Sequence, residues 1–249
     1  METDITNSFK NSIISDEIIS LAKDYSEIAL DTVISDDALK HIPILGTVVS
    51  FYKIGKSLRE RHFIKKIALF LSKLSEISDD EKEIFLSEMS KQDKYGESLF
   101  DKILLILEKL DETAKAEITG NLTRMYMKNV ISKEKLLRFV SIVERAALYD
   151  LMVLHHHHKS YDIEKSMLAT YWWSKETETA LYNLGLLNLT LDSKWGDYAA
   201  KHLEQRGSVT PTVIFKINSL GTQLANLMFY DLQNEDFQRV MADIKITSR

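Results

Sequence analysis

A succession of apolar stripes at helical spacing, running from Ile14 to Leu187, constrains this fold more than any other feature of the chain. The first stripe recurs at alternating intervals of four and three residues, the rhythm of a helix that packs along another helix. Its members are Ile14, Ile18, Leu21, Tyr25, Ile28 and Thr32. Only two prolines and eight glycines occur in 249 residues, which leaves little material for the turns of an all-β or α/β fold. The sequence therefore predicts a mainly α protein, built as a multi-helix bundle.

Two kinds of signal divide this helical chain into separate elements. One is a change in the direction of the apolar face, and the other is a residue pattern typical of a helix start. The spacing predicts a helix over 11–34, a connection that ends at Pro43, and a long helical region over 44–76. The apolar face of that region turns by about half a circumference near 59–62, so we expect a kink, a break or a change of partner there. Ser78 and the three acidic residues after it predict another helix start, because their oxygens suit the free N–H groups and the positive dipole end.

Ser132 is a further capping residue, and the apolar spacing after it predicts one long helix that reaches Leu154. The same position separates the two predicted domains of the chain. These are an N-terminal helical region over 1–131 and a C-terminal module over 132–249.

The pattern changes after Lys175, where two β-rich segments at 186–191 and 212–218 surround a polar stretch and precede a final helix. The sequence therefore predicts a small C-terminal β-hairpin in a mainly α protein. A leucine-glycine-leucine turn at 184–186 precedes the first segment, and a leucine-glycine step at 220–221 follows the second. This arrangement resembles the wing of winged-helix domains, and the resemblance implies a winged-helix-like element over about 170–230.

The segment that would be the recognition helix of a DNA-binding winged helix has the wrong charge for that role. Its only basic residue is Lys175, whereas Glu176 and Glu178 would repel phosphate groups. We therefore expect the winged-helix-like element to contact proteins and not nucleic acid.

The stretch IPILGTVVSFYKIGKSLRERHFIKK, at 42–66, carries a second resemblance. It is similar to part of a type of uncharacterised helical bacterial protein associated with antiviral defence or toxin loci. That resemblance implies a component of a bacterial defence system, and it assigns no role to any residue.

Charge and cysteine content exclude several classes of function. The 37 acidic residues outnumber the 32 basic ones, and the net charge of −5 creates no overall attraction to nucleic acid or to an anionic membrane. The absence of cysteine excludes disulfides, thiolate catalysis and cysteine-ligated zinc. The amino-terminal METDITNSFK is polar and lacks the basic start and apolar run of a secretory signal, so we expect a cytoplasmic protein.

Three local patterns could carry chemistry, and each has a simpler structural explanation. The run His155 to His158 has imidazoles at a spacing that can hold zinc, nickel or copper, but adjacent histidines point in different directions on a helix. The tripeptide at 55–57 matches the end of a phosphate-binding loop, yet it continues an apolar helical face and lacks the first glycine. We therefore assign no metal ligand and no cofactor to either pattern.

Asp192 and Lys194 follow an apolar β-rich segment, as in many metal-dependent nucleases, and Asp162 could supply a second carboxylate. That chemistry needs a sheet of several strands, whereas this chain offers two. No metalloprotease, nucleophile-elbow or dinucleotide-binding motif is present. We predict no catalytic residue and no small-molecule substrate, and a metal-dependent nuclease remains an alternative.

One cationic cluster stands out in this acidic chain, and we name it the basic collar. It comprises Lys53, Lys56, Arg59, Arg61, Lys65 and Lys66. The collar is a candidate surface for an anion or a partner, and it adjoins the most apolar uncharged run of the chain, at 41–52. That run is too short to span a bilayer, so the alternative function is a membrane-active effector that uses 41–66 at the inner face of the membrane, in an interfacial helix or a pore.

Trp172 and Trp173 are adjacent, and only one of two consecutive helical residues can point into a single buried face. The outward tryptophan is a candidate partner anchor. Taken with the helical seams and the missing catalytic motifs, these residues favour a non-enzymatic interaction or regulatory protein. We predict that it binds a protein partner or forms a homo-oligomer.

Overall fold

The computed structural model describes residues 2–26, 42–52, 58–74, 77–161, 174–191 and 213–229. These residues form eleven helices and one antiparallel sheet of two strands. The prediction of a mainly α protein with a small C-terminal hairpin is therefore confirmed.

The elements follow one another along the chain in a simple order. The helices are α1 (Glu2–Ile14), α2 (Asp16–Ser26), α3 (Pro43–Tyr52), α4 (Leu58–Ser72), α5 (Asp79–Met89), α6 (Leu99–Lys109), α7 (Thr113–Met127), α8 (Lys133–Arg145), α9 (Leu148–Tyr161), α10 (Lys175–Asn183) and α11 (Ser219–Met228). The strands β1 (Leu187–Leu191) and β2 (Val213–Ile217) lie between α10 and α11.

The described residues fall into two compact units that divide after Leu148. The first unit contains residues up to 148 together with 227–229, and the second contains 149–161, 174–191 and 213–226. The predicted domain boundary between 131 and 132 stays a prediction.

Serine caps decide where several helices begin. Ser78 accepts a hydrogen bond from the backbone N–H of Glu81, whose carboxylate accepts from the backbone of Ser78 in return. Ser132 caps α8 in the predicted way. Ser15 was not predicted to interrupt a helix, but its hydroxyl accepts from Ile18 and its carbonyl from Ile19, so α1 ends and α2 begins there.

One other predicted helix is wrong. The predicted helix from Ser132 to Leu154 is two helices, because Ala146 is extended and α9 starts afresh at Leu148. The long region over 44–76 contains α3 and α4, and residues 53–57 between them lie outside the described residues. Helix α4 is continuous over 59–62, so no break falls there. The two helices have different main partners, because α3 contacts α1 whereas α4 contacts α2 and α7.

The core of the first unit forms around α7, which packs against α4, α5 and α8, while α4 also contacts α2. Gly120 permits the closest approach, because a Cβ at this position would lie 2.7 Å from the carbonyl oxygen of Phe70 on α4. Phe9 of α1 inserts between Phe70 and Phe100, with ring centroids at 5.6 and 5.8 Å. Each such buried phenylalanine stabilises the fold by about 1.5–3 kcal/mol.

Helix α7 is buried along most of its length, including several of its polar residues. The hydroxyls of Thr119 and Thr123 donate to the carbonyls one turn earlier, at Lys115 and Thr119. The ammonium of Lys115 pairs with Asp111 at 2.6 Å. These local bonds let polar side chains enter the core without losing a hydrogen-bond partner.

Candidate protein-binding face of the hairpin

The second unit contains α10, a tight turn and the hairpin. Individual residues determine where α10 begins and how the chain passes from α10 into β1. Ser174 caps α10, and Gly185, two residues after the helix ends at Asn183, has a φ of +75° that places it in the left-handed region. The amide of Leu186 then donates to the carbonyl of Leu181 at 3.0 Å. This is the glycine-dependent helix ending that satisfies the last free carbonyls and directs the chain into β1.

The register of the hairpin places apolar residues together on one face. Leu187 lies opposite Ile217 and Leu189 lies opposite Phe215, whereas the intervening pair on the other face is Asn188 with Lys216. Side chains alternate between the two faces of a strand, so the leucines of LNLTL all lie on one face of β1. Pairing with β2 then places the apolar residues of both strands on the same face.

The apolar face is buried at one end and exposed at the other. Leu187 is 2% exposed, while Leu189, two residues further along the same face, is 47% exposed. Tyr182 of α10 is 43% exposed and its ring meets that of Phe215 edge-on, with centroids 5.5 Å apart. We call Tyr182, Leu189 and Phe215 the hairpin face.

Asn218 joins the two ends of this structure. Its backbone N–H donates to Leu186 at 3.1 Å, its side-chain amide donates to Gly185 at 2.9 Å, and its side-chain oxygen accepts from Gly221 at 3.0 Å. Asn218 therefore caps α11 and holds the α10 turn against β2 at the same time. Gly221 is also required, because a Cβ there would overlap the carbonyl oxygen of Leu186. The hairpin face thus rests on an ordered frame.

Two histidines of the 155–158 run connect α9 to α11 within the second unit. The Nδ1 of buried His155 donates to the carbonyl oxygen of Ala225 at 2.6 Å, and the Nε2 of His158 donates to the side-chain oxygen of Asn226 at 2.9 Å. No group of three histidines or carboxylates that could hold a metal occurs in the described part of the chain. The imidazoles of His155 and His158 therefore hold α9 against α11 by hydrogen bonds.

Helices α9 and α10 are also linked by a polar contact. The hydroxyl of buried Thr177 donates to the half-buried carboxyl of Asp150. Burial raises the pKa of Asp150, and the hydrogen bond from Thr177 opposes that increase.

The basic collar is not one continuous surface in the structure. Lys66 is 5% exposed, and its ammonium donates to the carbonyls of Glu108 and Leu110, both at 2.8 Å, at the carboxyl end of α6. Burial lowers the pKa of Lys66. Arg59 is exposed and pairs with the carboxylate of Glu108 at 3.1 Å. The ammonium of Lys66 is therefore directed into the protein and is not accessible to a binding partner.

Two of the other members of the basic collar lie in α4, and two lie outside the described residues. Arg61 and Lys65 are half-buried and both make polar or electrostatic contacts. Lys53 and Lys56 lie outside the described residues. The collar as an anion or partner surface stays a prediction, and Lys66 is not available to it.

The described beginning of the apolar run, at 42–47, packs into the first unit. Ile42, Ile44 and Leu45 are fully buried, and the backbone N–H of Ile44 donates to the hydroxyl of Ser12 on α1 at 3.0 Å. Among the described helices, none has both the length and the apolar character to cross a membrane. A membrane-active role for 41–66 stays a prediction.

The predicted seam of the first helix lies at the edge of the core. Ile14 is 46% exposed and Ile18 and Leu21 are half-buried, whereas Ile19 and Ala22 occupy the buried side of α2. The side chain of Tyr25 and residues 28 and 32 lie outside the described residues. The deepest positions of α2 are therefore Ile19 and Ala22, each one residue after the predicted Ile18 and Leu21, while on α1 the buried residue is Ile13 and not the predicted Ile14.

Trp172, Trp173, Asp162, Asp192, Lys194 and the tripeptide at 55–57 all lie outside the described residues. The hairpin face was not among the predicted sites, although the alternation in LNLTL was a signal that could have indicated it.

Comparisons of this chain with protein-family models, with curated proteins and with solved structures found no match. The resemblances to winged-helix wings and to defence-associated helical proteins therefore stay predictions.

Proposed function

We propose that this chain is a non-enzymatic interaction protein that binds a protein partner through the hairpin face. The exposure of Leu189 and Tyr182 on an ordered frame carries the proposal. Covering such side chains gains about 25 cal/mol for each Å² of apolar area removed from water. Exposed leucine and tyrosine side chains beside a half-buried phenylalanine are typical of a surface that a partner covers.

The charges around the hairpin face favour a protein over a nucleic acid. Exposed Lys175 is followed by exposed Glu176 and half-buried Glu178 on α10. A surface that binds phosphates is dominated by cations, whereas a mixed polar rim around an apolar centre is the usual anatomy of a protein interface. The same charges fit a partner that recognises the apolar centre and is oriented by the rim.

Two matched substitutions test this function. Leu189→Glu places a carboxylate on the hairpin face, and Asn188→Glu places one on the opposite face of the same strand. Each variant is expressed with an affinity tag in its native cells, and co-purifying proteins are quantified by mass spectrometry. We expect at least one co-purifying protein whose recovery falls at least about tenfold with Leu189→Glu, which corresponds to about 1.4 kcal/mol in the free energy of binding. Its recovery should be unchanged with Asn188→Glu.

Equal recovery of every co-purifying protein with both variants would overturn the proposal. A second copy of this chain counts as a partner in the same experiment, because tagged and untagged copies can be distinguished by mass.

A further inference from the structure

We infer that the partner binds as an added strand, with an extended segment of its chain pairing with the outer edge of β1. This inference rests on the proposed function of the hairpin face and specifies the occupant. The hydrogen-bond register, the composition of the edge and the size of the face support it.

The hydrogen-bond register shows which backbone groups are available. The bond from the N–H of Asn218 to the carbonyl of Leu186 makes these two residues a hydrogen-bonded pair of the ladder. Pairs alternate along an antiparallel ladder, so Asn188 bonds inward to Lys216, while Leu187 and Leu189 direct their N–H and C=O groups to the outer edge. The sheet has two strands in the part of the chain that the structure describes.

The composition of β1 leaves this edge unprotected. Natural edge strands are commonly guarded by a lysine, a proline or a bulge that blocks another strand. In the hairpin, β2 carries Lys216, whereas β1 has neither a charged residue nor a proline, and its five residues pair with β2 without a bulge. An incoming strand therefore meets no local obstacle on β1.

The size of the face favours a narrow occupant over a broad partner surface. Five residues per strand and two strands give a footprint of about 17 by 10 Å. A stable interface between folded proteins needs about 800 Å² from each partner, several times this area. A single strand requires much less, because main-chain hydrogen bonds supply affinity and alternate side chains supply specificity. The occupant that fits is an extended segment of about five residues with apolar side chains at alternate positions.

The expected contacts follow from this geometry. The partner strand bonds to the N–H and C=O of Leu189, and its apolar side chains extend over the hairpin face beside Leu189. The polar side chains of the same strand face the side that contains Asn188, where water can solvate them.

Hydrogen exchange at two neighbouring amides tests the inference. The probe is a synthetic peptide of about seven residues that alternates valine and threonine, added at millimolar concentration to the labelled chain of 249 residues. Exchange is followed by NMR at Leu189 and at Asn188, whose amide already bonds to β2. We expect exchange at Leu189 to slow at least about tenfold, because the bound peptide lowers the fraction of molecules in which this amide is open to solvent by the same factor. Exchange at Asn188 should change little.

Backbone methylation of the probe separates strand addition from general apolar binding. N-methyl groups are placed either on all valine amides or on all threonine amides. In an added strand only one of these sets faces β1, so one methylated peptide should lose binding and the other should keep it. Protection that survives both modifications, or that is lost with both, would overturn strand addition. Absence of protection at Leu189 with the unmodified peptide would also overturn it.

The two proposals can fail separately. Selective loss of a partner with Leu189→Glu but no amide protection would retain the hairpin face as a binding surface and reject strand addition. The amide of Leu189 could already be protected from exchange without peptide. In that case, the way this protection depends on protein concentration identifies what covers the edge of β1. Protection that rises with concentration indicates a second copy, and protection independent of concentration indicates another segment of this chain. Either result overturns the inference of a partner strand.

Discussion

Leu189 lies directly opposite Phe215 in the hairpin, yet Leu187, two residues away on the same face, is the one that is buried. The two leucines therefore have the same side-chain chemistry and different environments. This contrast separates the contribution of the hairpin to folding from its contribution to binding.

We expect Leu187→Ala to lower the free energy of unfolding by about 2–4 kcal/mol, because it opens a cavity in the second unit. Leu189→Ala should change the same quantity by less than about 1 kcal/mol, because its side chain is already partly in water. Urea unfolding followed by circular dichroism measures both values. Equal losses for the two variants would mean that Leu189 is a core residue.

The close contact between α11 and the turn before β1 gives a second matched pair. Gly221→Ala should destabilise the second unit by more than about 2 kcal/mol, because the new methyl group overlaps the carbonyl of Leu186. Gly185→Ala meets no neighbouring atom and should cost only about 1 kcal/mol for its left-handed backbone. Hydrogen exchange of the hairpin amides measures the difference. If Gly185→Ala is the more damaging, the tight contact at Gly221 is not what holds the hairpin.

Lys66 and Arg59 occupy the same helix and both meet residues at the end of α6, but only Lys66 is buried. Lys66→Met keeps the aliphatic volume and leaves the carbonyls of Glu108 and Leu110 without their donor, so we expect a loss of about 1–3 kcal/mol in the free energy of unfolding. Arg59→Met should change it by less than about 1 kcal/mol, since an exposed ion pair contributes little. Thermal unfolding of both variants at one pH gives the comparison, and similar values would contradict the capping role of Lys66.

Asp93 provides a test of pH dependence in the loop before α6. Hydrogen bonds from the Lys102 ammonium and from the amides of Tyr95 and Glu97 lower the pKa of Asp93 from 3.8 to about 2. A carboxyl group with a lowered folded-state pKa stabilises the fold above its unfolded pKa, and that contribution is lost as the pH falls. We therefore expect the stability difference between wild type and Asp93→Asn to decrease from pH 3.8 to about 2.

NMR titration of the Asp93 carboxyl group checks the same prediction at one residue. A midpoint near the ordinary value for aspartate would show that the loop does not hold the ionised carboxylate in solution.

The sequence predicted most reliably those features whose signals are local. Ser78 and Ser132 cap helices because each hydroxyl needs only a backbone N–H three residues later. The glycine at 185 ends α10 by its own backbone conformation. The hairpin was also predictable, since the alternation in β1 requires no information about distant residues.

Features that depend on distant partners escaped prediction. Glu112 interacts with the backbone of Leu148, 36 residues further along the chain, and nothing near Leu148 in the sequence indicates that contact. Lys66 belongs to a basic run, and only its contact with Leu110, 44 residues away, turns it inward. The hairpin face needed the register that places Leu189 opposite Phe215.

Site-specific photo-crosslinking from the hairpin tests the proposed function most directly. A photoreactive amino acid replaces either Leu189, on the hairpin face, or Asn188, on the opposite face of the same strand, and the chain is irradiated in its native cells. We predict a discrete crosslinked protein from position 189, with a clearly lower yield from position 188, whose side chain lies on the solvated side of the strand. Crosslinking from neither position, or equally from both, would contradict binding through the hairpin face.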